Sequence, residues 1–72
     1  MRYSILIQWS NADQAYLVTL PEWEGHTNNP VTHGATYEEA LRHGQEVLAD
    51  LIAIWQERGW TLPKPNVYAG AV

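Results

Sequence analysis

The side chains of this sequence that could bind a metal or transfer protons include three histidines, His26, His33 and His43. A zinc site needs three or four ligands in a matched geometry, and the spacing of these histidines fits no known zinc pattern. Covalent catalysis has no candidate nucleophile, because the chain has no cysteine and neither of its serines lies in a glycine-flanked turn. We therefore predict that the protein holds no metal and no cofactor.

The eight carboxylates of the chain raise the question of metal-dependent phosphodiester cleavage. Such cleavage needs several carboxylates that converge from strands and helix and hold two ions about 3.5–4 Å apart. The three predicted strands, residues 2–9, 15–20 and 31–34, contain no Asp or Glu. We therefore predict that the protein is not an enzyme, and a weak metal-dependent nuclease is only a distant alternative.

Residues suited to binding another protein are concentrated in the segment from Glu22 to His26, where Trp23 stands between Glu22 and Glu24. A tryptophan on a loop is a frequent anchor of protein interfaces, and neighbouring charges steer a partner of opposite charge. We predict that Glu22, Trp23, Glu24 and His26 bind a basic protein. The sequence equally allows the alternative that Trp23 folds back over the sheet edge as part of the core.

Alternating apolar residues predict the strands that must position this loop. One face of the first strand, residues 2–9, carries Tyr3, Ile5, Ile7 and Trp9. A short polar turn links it to a second strand over 15–20, which is typical of a hairpin, and Pro21 ends that strand. Residues 31–34 fit a third strand, and residues 67–69 fit a short fourth one.

One long amphipathic helix follows the third strand. Thr36 is a good N-cap, and Glu39 three residues later completes a capping box. Apolar residues then recur at three-and-four spacing up to Gly59, which supplies the left-handed stop. Gly44 costs about 1 kcal/mol relative to alanine, so we expect it to lie close against the sheet. The predicted fold is a single α+β domain over residues 1–72, a three- to four-stranded antiparallel sheet packed against one long helix (β-β-β-α-β).

The chain is small and acidic, with 72 residues, eight acidic and four basic side chains, and a net charge of −4. A core of this size rarely supplies more than about 3–5 kcal/mol of folding stability, so we expect the chain to form a homo-oligomer, a dimer or tetramer, that adds to it.

Among the four tryptophans we expect Trp9 and Trp55 in the core and Trp60 as a clasp over the helix end. The scattered basic residues predict no direct binding of nucleic acid. No apolar run or signal peptide is evident, which indicates a cytoplasmic protein and no membrane partner.

In order, these residues resemble the HicB family of antitoxins, whose N-terminal domain has a partial ribonuclease H fold. The likeness spans residues 3–65. The matching series comprises Leu20-Pro21-Glu22-Trp23-Glu24-Gly25, Thr32, Gly34, Thr36-Tyr37-Glu38-Glu39-Ala40-Leu41, Gln45-Glu46-Val47-Leu48, Gly59, Leu62-Pro63 and Pro65. The sequence departs from the family at His26, where many relatives have Cys, and in a loop lengthened by Asn28-Asn29-Pro30.

The resemblance implies a function. HicB proteins bind and neutralise a small basic RNA-cleaving toxin of the HicA type, and many carry a C-terminal DNA-binding module, which we do not expect in this protein. We therefore expect an antitoxin whose acidic, aromatic surface covers the toxin's cationic RNA-binding face and catalytic histidine. The alternative is a stand-alone oligomeric HicB-like scaffold or ligand-binding domain without a toxin.

Overall fold

The computed structural model describes residues 2–70 and shows a three-stranded antiparallel sheet with one long helix on one face. The predicted α+β class is therefore confirmed. The elements, in chain order, are β1 (Leu6–Ser10), β2 (Ala15–Thr19), a single 3-10 turn (Pro21–Trp23), β3 (Thr32–Gly34) and α1 (Tyr37–Glu57). The sheet order β1-β2-β3 puts β2 in the centre and leaves β1 and β3 at the edges.

The β1–β2 hairpin pairs Leu6 with Thr19 and Ser10 with Ala15. Its turn is held by the Ser10 hydroxyl, which donates to the Asp13 carboxylate over 2.8 Å. Strand β1 begins at Leu6, four residues later than predicted. The reason lies in β2, because Pro21 starts the 3-10 turn and removes the partner that residues 2–5 would need.

The segment after the helix forms no strand between residues 60 and 70, so the optional fourth strand over 67–69 is absent. Pro63 and Pro65 have no backbone N–H to donate to a ladder. The segment is tied instead to the start of the chain, because the Tyr3 hydroxyl donates to the carbonyl of Pro63. The backbone N–H of Asn66 donates to the Glu22 carboxylate over 2.9 Å.

Both ends of α1 are capped as the sequence predicts. The Thr36 hydroxyl oxygen accepts from the Glu39 N–H over 3.0 Å, while the Glu39 carboxylate accepts from the N–H of Ala35. At the other end Gly59 adopts a φ of 69°, and the Trp60 N–H donates to the carbonyl of Trp55 over 2.9 Å. This is the Schellman arrangement, which satisfies the last free carbonyls. Within residues 2–70 no helix has the length and apolarity needed to cross a membrane.

The completely buried side chains form a small core of Val18, Leu20, Trp23 and Ala40. Gly44 is also buried, as predicted, and a Cβ there would lie 2.9 Å from Cγ1 of Val18. The helix therefore approaches the sheet closely because this position lacks a side chain. So few fully buried residues are typical of a domain of marginal stability.

Candidate protein-binding surface

The carboxylate of Glu22, the first residue predicted to bind a partner, is occupied within the protein. It accepts hydrogen bonds from the N–H of Ser4 at 3.1 Å, from the Ser4 hydroxyl at 2.9 Å and from the N–H of Asn66 at 2.9 Å. The 3-10 turn at Pro21–Trp23 places it between the first residues of the chain and the segment that follows the helix. The Glu22 carboxylate therefore links the segment before β1 to the segment that follows α1.

These hydrogen bonds also set the ionisation of Glu22. Partial burial by itself raises the pKa of the carboxyl group, but the hydrogen bonds from Asn66, from its own backbone and from Ser4 act against burial and outweigh it. The pKa of Glu22 consequently lies below its ordinary value. A carboxylate whose pKa falls on folding stabilises the folded state above its unfolded pKa, and this contribution disappears as the pH drops through the folded pKa.

We therefore expect Glu22→Gln to lower the melting temperature at pH 7 and to have a shrinking effect as the pH falls below about 4, the ordinary range for a glutamate. Melting curves from circular dichroism between pH 7 and pH 3 measure the difference from wild type. Asp50→Asn, on the exposed side of α1, is the matched control. A Glu22→Gln deficit that stays constant over this range would contradict the role of the carboxylate charge.

Trp23 occupies the core, which decides between the two roles left open for it. Its side chain is completely buried, with ring centroids 5.3 Å from Tyr3 and 5.1 Å from Trp55 in edge-to-face contacts. Its indole N–H has no hydrogen-bond partner among the described residues. The prediction that this indole anchors a partner is therefore wrong, because no part of it reaches the surface.

The remainder of the loop is exposed and held in shape by Asn29. The Asn29 side chain pairs with both backbone groups of Leu20, at 3.0 and 3.1 Å, and donates to the Glu24 carboxylate at 2.9 Å. Gly25 turns the chain with a φ of 84°. Glu24 and His26 are thus both exposed on a fixed loop, and a binding role for these two residues stays a prediction.

An aromatic surface adjoins this loop where α1 ends. The ring of His26 lies 6.3 Å from that of Trp55, and Trp55 contacts Trp60 at 5.0 Å. Trp60 keeps 49% of its surface exposed, and the guanidinium of Arg58 lies 5.1 Å from its ring centroid. We call His26, Trp55 and Trp60 the indole surface. Trp60 is the clasp that the sequence predicts, and its exposure makes it the accessible indole of this site.

A signal for Trp60 was present in the sequence. The residue after a glycine that stops a helix commonly contacts the residue five positions earlier, because the Schellman turn brings the two together. Gly59 therefore places Trp60 on Trp55. The link from Trp55 to the loop has no local signal, since it depends on how the helix lies across the buried Trp23.

Trp9, predicted to be in the core, is 47% exposed. It lies on the edge strand β1, where its ring is in edge-to-face contact with Tyr16, 5.0 Å between centroids, and its indole N–H donates to Asn11 over 2.8 Å. Tyr16 in turn contacts Tyr37 at the start of α1, with 4.2 Å between ring centroids. A single helix cannot cover the whole sheet face, so the prediction for Trp9 is wrong.

The three histidines do not form one cluster. A ring nitrogen of His43 lies 2.6 Å from the carbonyl oxygen of His33, whereas His26 contacts Trp23 and Trp55. Among residues 2–70 no group of three or more His, Asp or Glu side chains is placed to hold a metal ion. The carboxylates lie in the hairpin turn, in the loop and on the helix.

Comparisons with protein-family models, with curated proteins and with solved structures gave no match for this chain. The likeness to HicB antitoxins thus rests on the residues quoted above, and the family stays a prediction. The indole surface itself favours protein recognition, because it presents an exposed tryptophan and a histidine beside the exposed carboxylate of Glu24.

Proposed function

We propose that this protein is an antitoxin of the HicB type, which binds a small basic RNA-cleaving toxin in the cytoplasm and blocks its RNA-binding face. The observation that carries this proposal is the indole surface, where Trp60 is half exposed and packs on Trp55 just after the end of α1. The net charge of −4 complements a basic partner. The ordered series of residues shared with HicB antitoxins supports the same function.

In this proposal the indole surface supplies an apolar anchor for the partner, and the neighbouring Glu24 supplies a negative charge. Trp60 supplies a large apolar ring whose position is fixed by Trp55 on one side and by Arg58. A partner that covers Trp60 therefore pays little side-chain entropy, because the ring is already held in place, and this favours affinity. Glu24 carries the negative charge that attracts a basic protein and acts mainly on the association rate.

The test uses the product of a small basic reading frame adjoining the gene for this protein. Co-expression is expected to relieve the growth arrest that this product causes, and calorimetry is expected to give tight binding. Trp60→Ala should raise the dissociation constant about 30-fold, which is equivalent to a loss of roughly 2 kcal/mol of binding free energy for an interface anchor. Tyr37→Ala removes an exposed aromatic ring at the opposite end of α1, outside the indole surface, and it should change the constant less than about threefold.

Two further measurements keep the outcome clear. Melting curves show whether Trp60→Ala remains folded at the temperature of the binding assay, since Trp60 also packs on the helix end. Glu24→Gln should slow association and reduce its salt dependence without altering the melting temperature by much. Absence of binding by the wild-type protein, or equal loss with Tyr37→Ala and Trp60→Ala, would refute the proposed site.

A further inference from the structure

A groove lined mostly by apolar residues runs between the segment that leads into β1 and the helix. Its lining residues are Tyr3, Ile5, Gln45, Leu48, Ala49 and Ile52. Leu41, which is 42% exposed, extends the same side of α1 toward its N-terminus, because positions 41, 45, 48 and 52 lie on one face of a helix. We call this groove, together with Leu41 and Trp9, the seam.

The edge of β1 beside the seam has free backbone groups. The N–H of Ser4 points to the β2 side, where it meets Glu22. Backbone groups alternate along a strand, so those of Leu6 and Gln8 also face β2, while those of Ile5, Ile7 and Trp9 face outward. No neighbouring strand covers this edge within residues 2–70.

The edge also lacks the features by which proteins prevent strands from pairing. Edge strands are usually protected by charged residues, proline or bulges. The sequence from Ile5 to Ser10 contains no charged residue and no proline, and the β1–β2 register runs without a bulge. A neutral, regular edge next to an apolar groove is suited to receive another strand.

The distribution of charged residues indicates which partner could supply a strand to this edge. The chain carries eight acidic and four basic side chains, yet no residue of the seam or of β1 is charged. A partner of opposite net charge gains nothing from such a surface. A second copy of the same surface is neutral and composed mostly of apolar side chains, so it fits without bringing a charged side chain of the seam or of β1 into the contact.

We propose that β1 pairs antiparallel with β1 of a second copy, which joins the two sheets into one of six strands with both helices on the same face. With the two-fold axis at Ile7, Ile5 of each copy lies opposite Trp9 of the other. The outward backbone groups of Ile5, Ile7 and Trp9 then all find partners. The half-exposed Trp9 and the side chains of the seam become buried, which supplies the reinforcement that so small a core needs.

The exposed helix residues Leu41 and Ile54 provide a matched pair of variants. Their exposed fractions are 42% and 41%, but Leu41 belongs to the seam while Ile54 lies on the opposite side of α1. Sedimentation equilibrium of the full chain is expected to show a dimer. Leu41→Glu should raise its dissociation constant at least about tenfold by burying like charges near the axis, and Ile54→Glu should change it less than about threefold.

Amide hydrogen exchange tests the edge pairing itself. In the wild-type dimer the amides of Ile7 and Trp9 are expected to be protected, and Leu41→Glu should expose both while the amide of Gln8 keeps its protection from β2. A monomer at concentrations of about 100 μM would overturn the proposal. A dimer with an unprotected Ile7 amide, or one equally weakened by both glutamate variants, would also overturn it. Binding of the toxin by Leu41→Glu is measured as well, so that a failure of the dimer proposal can be distinguished from a failure of the proposed antitoxin function.

Discussion

Trp23→Ala is expected to leave most of the protein unfolded at 25 °C. The indole is completely buried and contacts Tyr3 and Trp55 edge to face. Truncating a buried tryptophan costs about 3–5 kcal/mol, which equals the whole stability that a core of this size supplies, about 3–5 kcal/mol. Far-ultraviolet circular dichroism with increasing urea measures the loss.

Trp60→Ala is the control for this experiment, since Trp60 is half exposed and contacts only one end of α1. It is expected to cost about 1 kcal/mol, within the usual range for single substitutions. Trp23→Phe is expected to cost less than Trp23→Ala, because it keeps most of the ring and removes an N–H without a partner among the described residues. A Trp23→Ala protein within about 1 kcal/mol of wild type would contradict the core role.

Gly34→Ala is expected to destabilise the protein by about 3 kcal/mol, at the upper end of what overpacking usually costs. A Cβ at Gly34 would lie 2.4 Å from the backbone nitrogen of Ala40 and 2.8 Å from its Cα. Both atoms belong to the first turns of α1, where the Ala40 N–H donates to the Thr36 carbonyl. The methyl group can be accommodated only if β3 and the helix separate.

Gly44→Ala is the matched control, because its Cβ would meet side chains instead of backbone. The nearest atoms are Cγ1 of Val18 at 2.9 Å and Cγ2 of Ile5 at 3.3 Å. The helix gains about 1 kcal/mol when alanine replaces glycine, which offsets part of the crowding. Urea unfolding should therefore show a loss less than half that of Gly34→Ala, and an equal loss in the two variants would refute the backbone argument.

The sequence by itself determined those features that depend on short-range interactions. Thr36 and Glu39 predict the start of α1, and Gly59 predicts its end, because a cap involves residues within one turn of each other. The hairpin was predictable from the two-residue period of its apolar side chains, and the close approach at Gly44 from the absence of a side chain there. These signals were sufficient for the fold class.

The tertiary structure alone decided which tryptophan is buried and which is available for binding. Trp23, between two carboxylates on a loop, fits an interface and a core role equally well, whereas Trp9, on an alternating strand, reads as core. The structure buries Trp23 and leaves Trp9 half exposed, because the 3-10 turn folds Trp23 under α1 and the edge position of β1 leaves Trp9 uncovered. Burial depends on which elements cover a residue, and a single helix over three strands leaves one edge open. That choice is made by packing between distant segments, which local sequence patterns do not encode.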